Sequence, residues 1–297
     1  MAIEVECVLD ARAAIGESPV WCPEEAALYW VDIPGRALHR FDPATGLDRR
    51  WDLGQEIGCF ALRRQGAGSV LAAMRHGYHL LDPGTGALEP LFDPEPDLPD
   101  NRFNDGAVDP RGRFWAGTMS MVAAEEPRGS LYRLDAERRC ARVAGGFWTI
   151  NGLASSPDGR TMYASDSDPR VRTIWAFDFD PDDGVATGLS VFATTHDLAG
   201  RPDGGATDAD GCYWMAGVGG WQLVRFAPTG TVDRVIDLPV EKPTKVAFGG
   251  PGLDVMHVTS IRGGITPGTE GRQPQARGLF AVRGAGVSGL PPARFAG

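Results

Sequence analysis

The sequence predicts an all-β protein: a six-bladed β-propeller closed by the N-terminal strand joining the last blade. Three observations predict it. A strand ending in an aromatic or large apolar residue followed by small residues recurs six times. A second strand follows each of them. Helical patterning is almost absent. The six markers are LYWVD (Trp30), SVLAAM (Leu71), RFWAGT (Trp115), TMYASD (Tyr163), CYWMAG (Trp214) and DVMHVTS (Met256). They are separated by 41, 44, 48, 51 and 42 residues. An all-strand period of about 40–50 residues is the signature of propeller blades.

The elements follow in chain order. IEVECVLD (3–10) is a strand ahead of the first full repeat, and the last repeat, ending near FAVRGAGVSGLPPARFAG, is short of strands. The first strand therefore completes the last blade, which removes the exposed edges of an open sheet. The follower strands are ALHRFDPATG, YHLLDPGTG, SLYRLDAE, TIWAFDFDPDDG, QLVRFAPTG and GLFAVRGAG. Turn sequences punctuate them: DPATG (42–46), DPGTG (82–86), DPRGR (109–113), SPDGR (156–160), DADGC (208–212) and APTGT (227–231). Three stretches exceed a tight turn: 119–129, 194–205 and 260–278. Long loops on a rigid scaffold carry selectivity. The second runs into the mouth of the ring, and the third reads as a lid or mobile surface.

The repeat runs through all 297 residues without a linker or charge block, so 1–297 reads as one domain. Gly 40 and Pro 23 fit the many turns, and 42% hydrophobic content is ordinary for a globular protein. The net charge is −10, and Lys242 and Lys245 are the only lysines. Without a basic cluster interleaved with aromatics, nucleic acid is excluded as a partner. No apolar run of membrane-spanning length exists, and the N-terminus lacks the apolar core of a secretory signal. Five scattered cysteines with no C-x-x-C predict reduced thiols and a cytoplasmic location.

Counting back 11 to 13 residues from each marker places Glu17, Asn104, Asn151 and Asp203 at one point of the unit. The other two repeats offer Gly58 or Cys59, and Thr244. The first strand of a propeller blade lines the central channel, so these four side chains converge at one mouth. Two carboxylates and two amide carbonyls form a hard-oxygen cation site. Taken singly, NDG, NGL and PDGG are turn formers. Glu17 in GESPVW is not a turn residue, and four oxygen-bearing side chains at one repeat position exceed what turns require.

Other chemistries leave no trace. G-x-S-x-G, H-E-x-x-H and G-x-x-x-x-G-K-[ST] are absent. The five histidines show no metal spacing. His76 and His79 flank a turn and read as surface residues, and His257 as packed. His196 lies nearest the mouth and is kept as a possible mouth residue. Asp105, Asp32 and Asp166 read as turn braces.

GESPVW, NRFNDGAVDPRGRFWAGTM, INGLASSPDG and RPDGGATDADGCYW resemble, in order, the signature blocks of the senescence marker protein/gluconolactonase/regucalcin family. The resemblance covers essentially the whole chain. It implies a six-bladed propeller that binds one divalent cation and hydrolyses sugar lactones. It implies that Glu17, Asn151 and Asp203 hold the metal, and that Arg102 and Asn104 contact substrate. Arg102 has a second reading, as charge balance beside acids. Family members similar to regucalcin place acidic residues directly after Gly-Thr-Met. Here Met119 is followed by SMVAA, and Glu125 and Glu126 come later, so that substrate contact does not carry over.

The implied reaction is hydrolysis of a sugar lactone to the aldonic acid. The cation polarises the carbonyl, and Asp203 is ligand and general base. Such a ligand set accepts Ca²⁺, Zn²⁺, Mn²⁺, Mg²⁺ or Fe²⁺, and no organic cofactor is implied. The small-molecule sugar lactone is the expected partner, with no nucleic acid, no membrane, and a monomer or weak dimer in solution. Two other classes use the same residues: a metal-dependent esterase or phosphotriesterase, and a non-catalytic cation-binding propeller.

Overall fold

The computed structural model describes residues 2–65 and 69–297. Six antiparallel four-stranded sheets form the six blades of a propeller. Blade 1 is β2 (Gly16–Cys22), β3 (Ala27–Asp32), β4 (Ala37–Asp42) and β5 (Leu47–Asp52). Blade 2 is β6 (Ile57–Leu62), β7 (Val70–Met74), β8 (Gly77–Asp82) and β9 (Ala87–Phe92). Blade 3 is β10 (Asn101–Val108), β11 (Phe114–Ser120), β12 (Gly129–Leu134) and β13 (Cys140–Phe147). Blade 4 is β14 (Ile150–Ser155), β15 (Thr161–Asp166), β16 (Thr173–Asp180) and β17 (Val185–Thr194). Blade 5 is β18 (Arg201–Thr207), β19 (Tyr213–Val218), β20 (Gln222–Phe226) and β21 (Val232–Asp237). Blade 6 is β22 (Pro243–Gly249), β23 (Val255–Ser260), β24 (Leu279–Arg283) and β1 (Glu4–Leu9). The N-terminal strand β1 pairs antiparallel with β24 as the outermost strand of blade 6, which closes the ring as expected.

The markers define the blades because they fill the space between them. Trp30, Trp115 and Trp214 are all but fully buried. Each indole finds a carboxylate, on Asp48, Asp109 and Asp208 respectively, at 3.2, 2.9 and 2.8 Å. A buried indole N–H needs such a partner. The buried clusters each join two neighbouring blades. Tyr29, Val31 and Trp51 of blade 1, for example, pack with Phe60, Val70 and Met74 of blade 2. Burial of apolar area, worth roughly 25 cal/mol per Å², thus bonds blade to blade and not only strand to strand.

Two expectations about loops change. Residues 201–205 are strand, the start of β18, so the connection after β17 is only 195–200. The 261–278 connection is tied down: Thr266 N–H and hydroxyl, and the Gln273 amide, donate to the Glu241 carboxylate, and Gln273 is fully buried. A carboxylate receiving several donors fixes a loop more firmly than a lid requires.

The C-terminal segment runs beneath the channel, on the face opposite the starts of the innermost strands. Gly289 bridges to Asp208 of blade 5, and Phe295, fully buried, bridges to Arg63 of blade 2. The channel residues are therefore approached from the other mouth. No helix among the described residues is long and apolar enough to cross a membrane, and the five cysteines are free.

Candidate functional site

Every innermost strand breaks its register at the same place. The irregularities lie between Glu17 and Val20, Ile57 and Cys59, Phe103 and Gly106, Asn151 and Ala154, Pro202 and Gly205, and Pro243 and Val246. A β-bulge leaves residues unpaired, bends the strand and re-aims side chains. The Asn-Asp-Gly and Pro-Asp-Gly-Gly segments are thus bulges on the channel wall, not connecting turns. Gly58 is required at its bulge, because a Cβ there would lie 2.1 Å from the carbonyl oxygen of Phe103 on the next blade.

Hydrogen bonds link the bulges from blade to blade. Arg102 Nη1 donates to Asn104 Oδ1 at 2.8 Å, and Asn104 Nδ2 donates to Asn151 Oδ1 at 3.1 Å and to Ile150 O at 3.0 Å. Asn151 Nδ2 donates to Ser167 Oγ at 2.6 Å, and Ser167 Oγ donates to Pro202 O at 2.5 Å. Carbonyl oxygens only accept, so the direction of the chain is forced. Ile150 O obliges Asn104 to turn its amide nitrogen toward blade 4. Pro202 O obliges the Ser167 hydroxyl to donate to it and to accept from Asn151. Asn151 consequently keeps its oxygen turned toward Asn104. On the other side of the ring, Thr244 Oγ1 donates to Gly16 O at 2.6 Å and Ser18 Oγ to Gly58 O at 3.1 Å.

The carboxylates are in a different state. Glu17 Oε2 accepts one bond, from Ser18 N at 2.7 Å, while the Asp203 carboxylate accepts none from the described residues. Burial, with the charge of Asp105 next in importance, pushes Glu17 up from 4.5 to about 7. Burial, then the charge of Glu17, pushes Asp203 well above the ordinary carboxylate range. Two acids that resist ionisation together suit a hard cation, which relieves both desolvation and repulsion. Among the described residues no group of three or more His, Cys, Asp or Glu side chains is arranged to hold a metal, so an ion held here would need the amide oxygen of Asn151 beside the carboxylates of Glu17 and Asp203.

Two site residues were missed by the sequence reading. Lys245, next to Thr244, donates from Nζ to Asp105 Oδ1 and to Gly106 O, the latter at 3.0 Å, and both side chains are buried. Asp105 does brace its own bulge through Gly106 N at 2.8 Å, but it also accepts from Leu153 N of blade 4 at 3.0 Å. Burial works to lower Lys245, yet Asp105 and Glu17 hold it above its ordinary value, as a charged ammonium. Asp32 and Asp166 are turn braces as expected, each accepting three backbone N–H groups.

The histidines sort differently. His196 is exposed on the 195–200 connection and makes no hydrogen bond to the other site residues. His79, expected at the surface, is buried, with its ring 3.2 Å from the Gln55 amide; His76 is exposed. His257 is packed, stacked on Trp21 at 5.6 Å. Glu125 and Glu126 are exposed, with no hydrogen bond to the site.

Comparisons with known proteins give the family and the fold. The SMP-30/Gluconolactonase/LRE-like region matches residues 15–262. The 6-deoxy-6-sulfogluconolactonase of Pseudomonas putida is 40% identical over 293 residues, covering 99% of each chain. The regucalcin of Xenopus laevis is 37% identical over 301 residues, covering 100% of this chain and 99% of its own. The crystal structure of a calcium-binding protein, regucalcin, from Agrobacterium tumefaciens superposes with a TM-score of 0.90 at 29% identity, over 97% of this chain and 96% of that one.

Proposed function

The chain belongs to the SMP-30/gluconolactonase/LRE-like family, and from that premise we propose that it is a sugar lactonase requiring one divalent cation. The reading is supported by the matching register breaks at which Glu17, Asn151 and Asp203 stand on the innermost strands of blades 1, 4 and 5, and by Asp203 lying in the field of Glu17. The full-length relative named for a sulfonated gluconolactone supports the substrate class.

The residues divide the work. Glu17, Asn151 and Asp203 hold the cation. When bound, it supplies Lewis-acid polarisation of the lactone carbonyl and acidifies water. Asp203, without a protein donor on its carboxylate, accepts the proton of the attacking water as general base. Asn104 is fixed by Ile150 and Asn151 and orients Arg102 through its own oxygen. Arg102 keeps part of its surface at the mouth and binds the lactone's hydroxyl or carbonyl oxygens. The Lys245–Asp105 pair ties blade 3 to blade 6. The acyl–oxygen bond breaks and the ring oxygen departs as an alcohol of the open aldonic acid, taking the proton that Asp203 accepted.

The test is acid release from a panel of pentono- and hexonolactones, neutral and sulfonated, by metal-loaded protein. Hydrolysis of one or more lactones above the spontaneous rate is expected. Turnover of none of them, with esters or phosphotriesters hydrolysed instead, would move the protein to the other hydrolase class.

A further inference from the structure

A cavity of about 150 Å³ lies on the mouth face between blades 1 and 2, lined by Arg36, Gly54, Gln55, Glu56, Arg75 and His76. Three connections build it: the β3–β4 turn, the 53–56 link and the β7–β8 turn. They are locked to one another. Leu53 N donates to Arg36 O at 2.8 Å, Arg75 N to Glu56 O at 2.9 Å, and His76 N to Gln55 Oε1 at 3.1 Å. The walls are therefore preorganised, which reduces the ordering cost of binding.

Its charge runs against that of the protein. Two guanidinium groups line it with one acid, Glu56, in a chain of net charge −10. Glu56 is 3.9 Å from Arg75 Nη1 and also lies in the field of Arg102. Among the described residues, Arg36 and His76 have no acidic partner, Arg36 Nη1 donates to Gly54 O at 3.3 Å, and Arg75 Nε and Glu56 Oε2 are both buried without a hydrogen-bond partner. An unpaired buried donor is costly, so a ligand that accepts from it gains. Guanidinium forks suit tetrahedral oxyanions.

Its position relates it to the reaction. Arg75 lines both this cavity and the narrow cleft that contains Arg102. It stands between the cavity and the residue that contacts the lactone. We propose that the cavity receives an anionic substituent, a sulfonate or phosphate at the far end of the sugar lactone, and thereby selects charged over neutral lactones. The inference rests on the lactonase reading for the identity of the ligand.

The test measures kcat/KM for 6-deoxy-6-sulfogluconolactone, 6-phosphogluconolactone and unsubstituted gluconolactone, with wild type, Arg75→Gln and Arg36→Gln. Wild type prefers a charged lactone by tenfold or more. Each variant lowers that preference roughly tenfold through KM, the least expected from losing a charge-assisted hydrogen bond. The ranking of sulfonate and phosphate identifies the natural anion. Equal use of neutral and charged lactones by wild type, or a preference retained in both variants, overturns the proposal. Arg36 is exposed, so its variant decides the matter if Arg75→Gln fails to fold. Should no lactone be hydrolysed, the lactonase reading falls on its own. Calorimetry of 6-deoxy-6-sulfogluconate and 6-phosphogluconate against gluconate then decides. Tighter binding of a charged acid, lost in Arg75→Gln, supports the subsite, and equal binding overturns it.

Discussion

The ammonium of Lys245 donates to the carboxylate of Asp105, 140 residues away in the chain and on the opposite side of the ring. One of the two lysines in the protein is thus buried in the channel, within the field of Glu17 and Asp203 as well as its partner. The pair joins blade 6 to blade 3 and offsets one of three acids gathered at the mouth.

Removing Lys245 strands that acid. Lys245→Met is expected to destabilise the fold by about 3–5 kcal/mol, the cost of leaving a buried charge without its partner. Adding Asp105→Asn to the same chain restores most of the loss. Urea denaturation checks both, and an unchanged midpoint in the single variant would show that the pair has no structural weight.

The repeat period was legible because each blade repeats one buried residue in one role, as Trp30, Trp115 and Trp214 do. The equivalent places of Glu17, Asn104, Asn151 and Asp203 at the register breaks of their innermost strands were legible because each blade repeats the same strand at the same point of the unit. Lys245 and Asp105 were not, although each adjoins a position the repeats had selected. An ordinary strand turns successive side chains to opposite faces, so the neighbours of Thr244 and Asn104 should point away from the channel. The bulges leave two residues unpaired at each of these places, and consecutive side chains then share the channel. A period of two cannot show that. The 261–278 loop was misread for a different reason: its anchor, Glu241, lies outside the loop and is one acid among many in the sequence.

Asp203→Ala removes a metal ligand and the proposed base together. Turnover is expected to fall by at least about 100-fold, the lower end of general-base contributions, with the fold retained by circular dichroism. A kcat close to wild type would remove Asp203 from the chemistry.

Glu17→Gln takes away charge while leaving an oxygen in place. The dissociation constant for the divalent ion should rise about tenfold or more, equivalent to about 1.4 kcal/mol. Isothermal titration of the metal measures it. An unchanged affinity would place the ion elsewhere.

His257 sets an acid-side limit on stability. Burial lowers it from 6.5 to about 4, so the folded protein keeps it neutral. Above pH 6.5 it is neutral in both states and contributes no pH dependence. Between pH 6.5 and 4 the unfolded chain binds a proton that the folded one refuses, and stability falls by up to about 1.4 kcal/mol per pH unit. His257→Phe keeps the stack on Trp21 and should flatten that part of the curve. Thermal melts from pH 7 to 4 check this, and an identical slope in the variant would assign the loss to other groups.

The most direct measurement is acid release from a sugar lactone by EDTA-stripped protein while a divalent cation is titrated in, with the spontaneous rate subtracted. A cluster of Glu17, Asn151 and Asp203 that holds one catalytic ion predicts a rate near zero without metal, rising to a plateau at one equivalent. A rate that is the same in stripped and metal-saturated protein would contradict it.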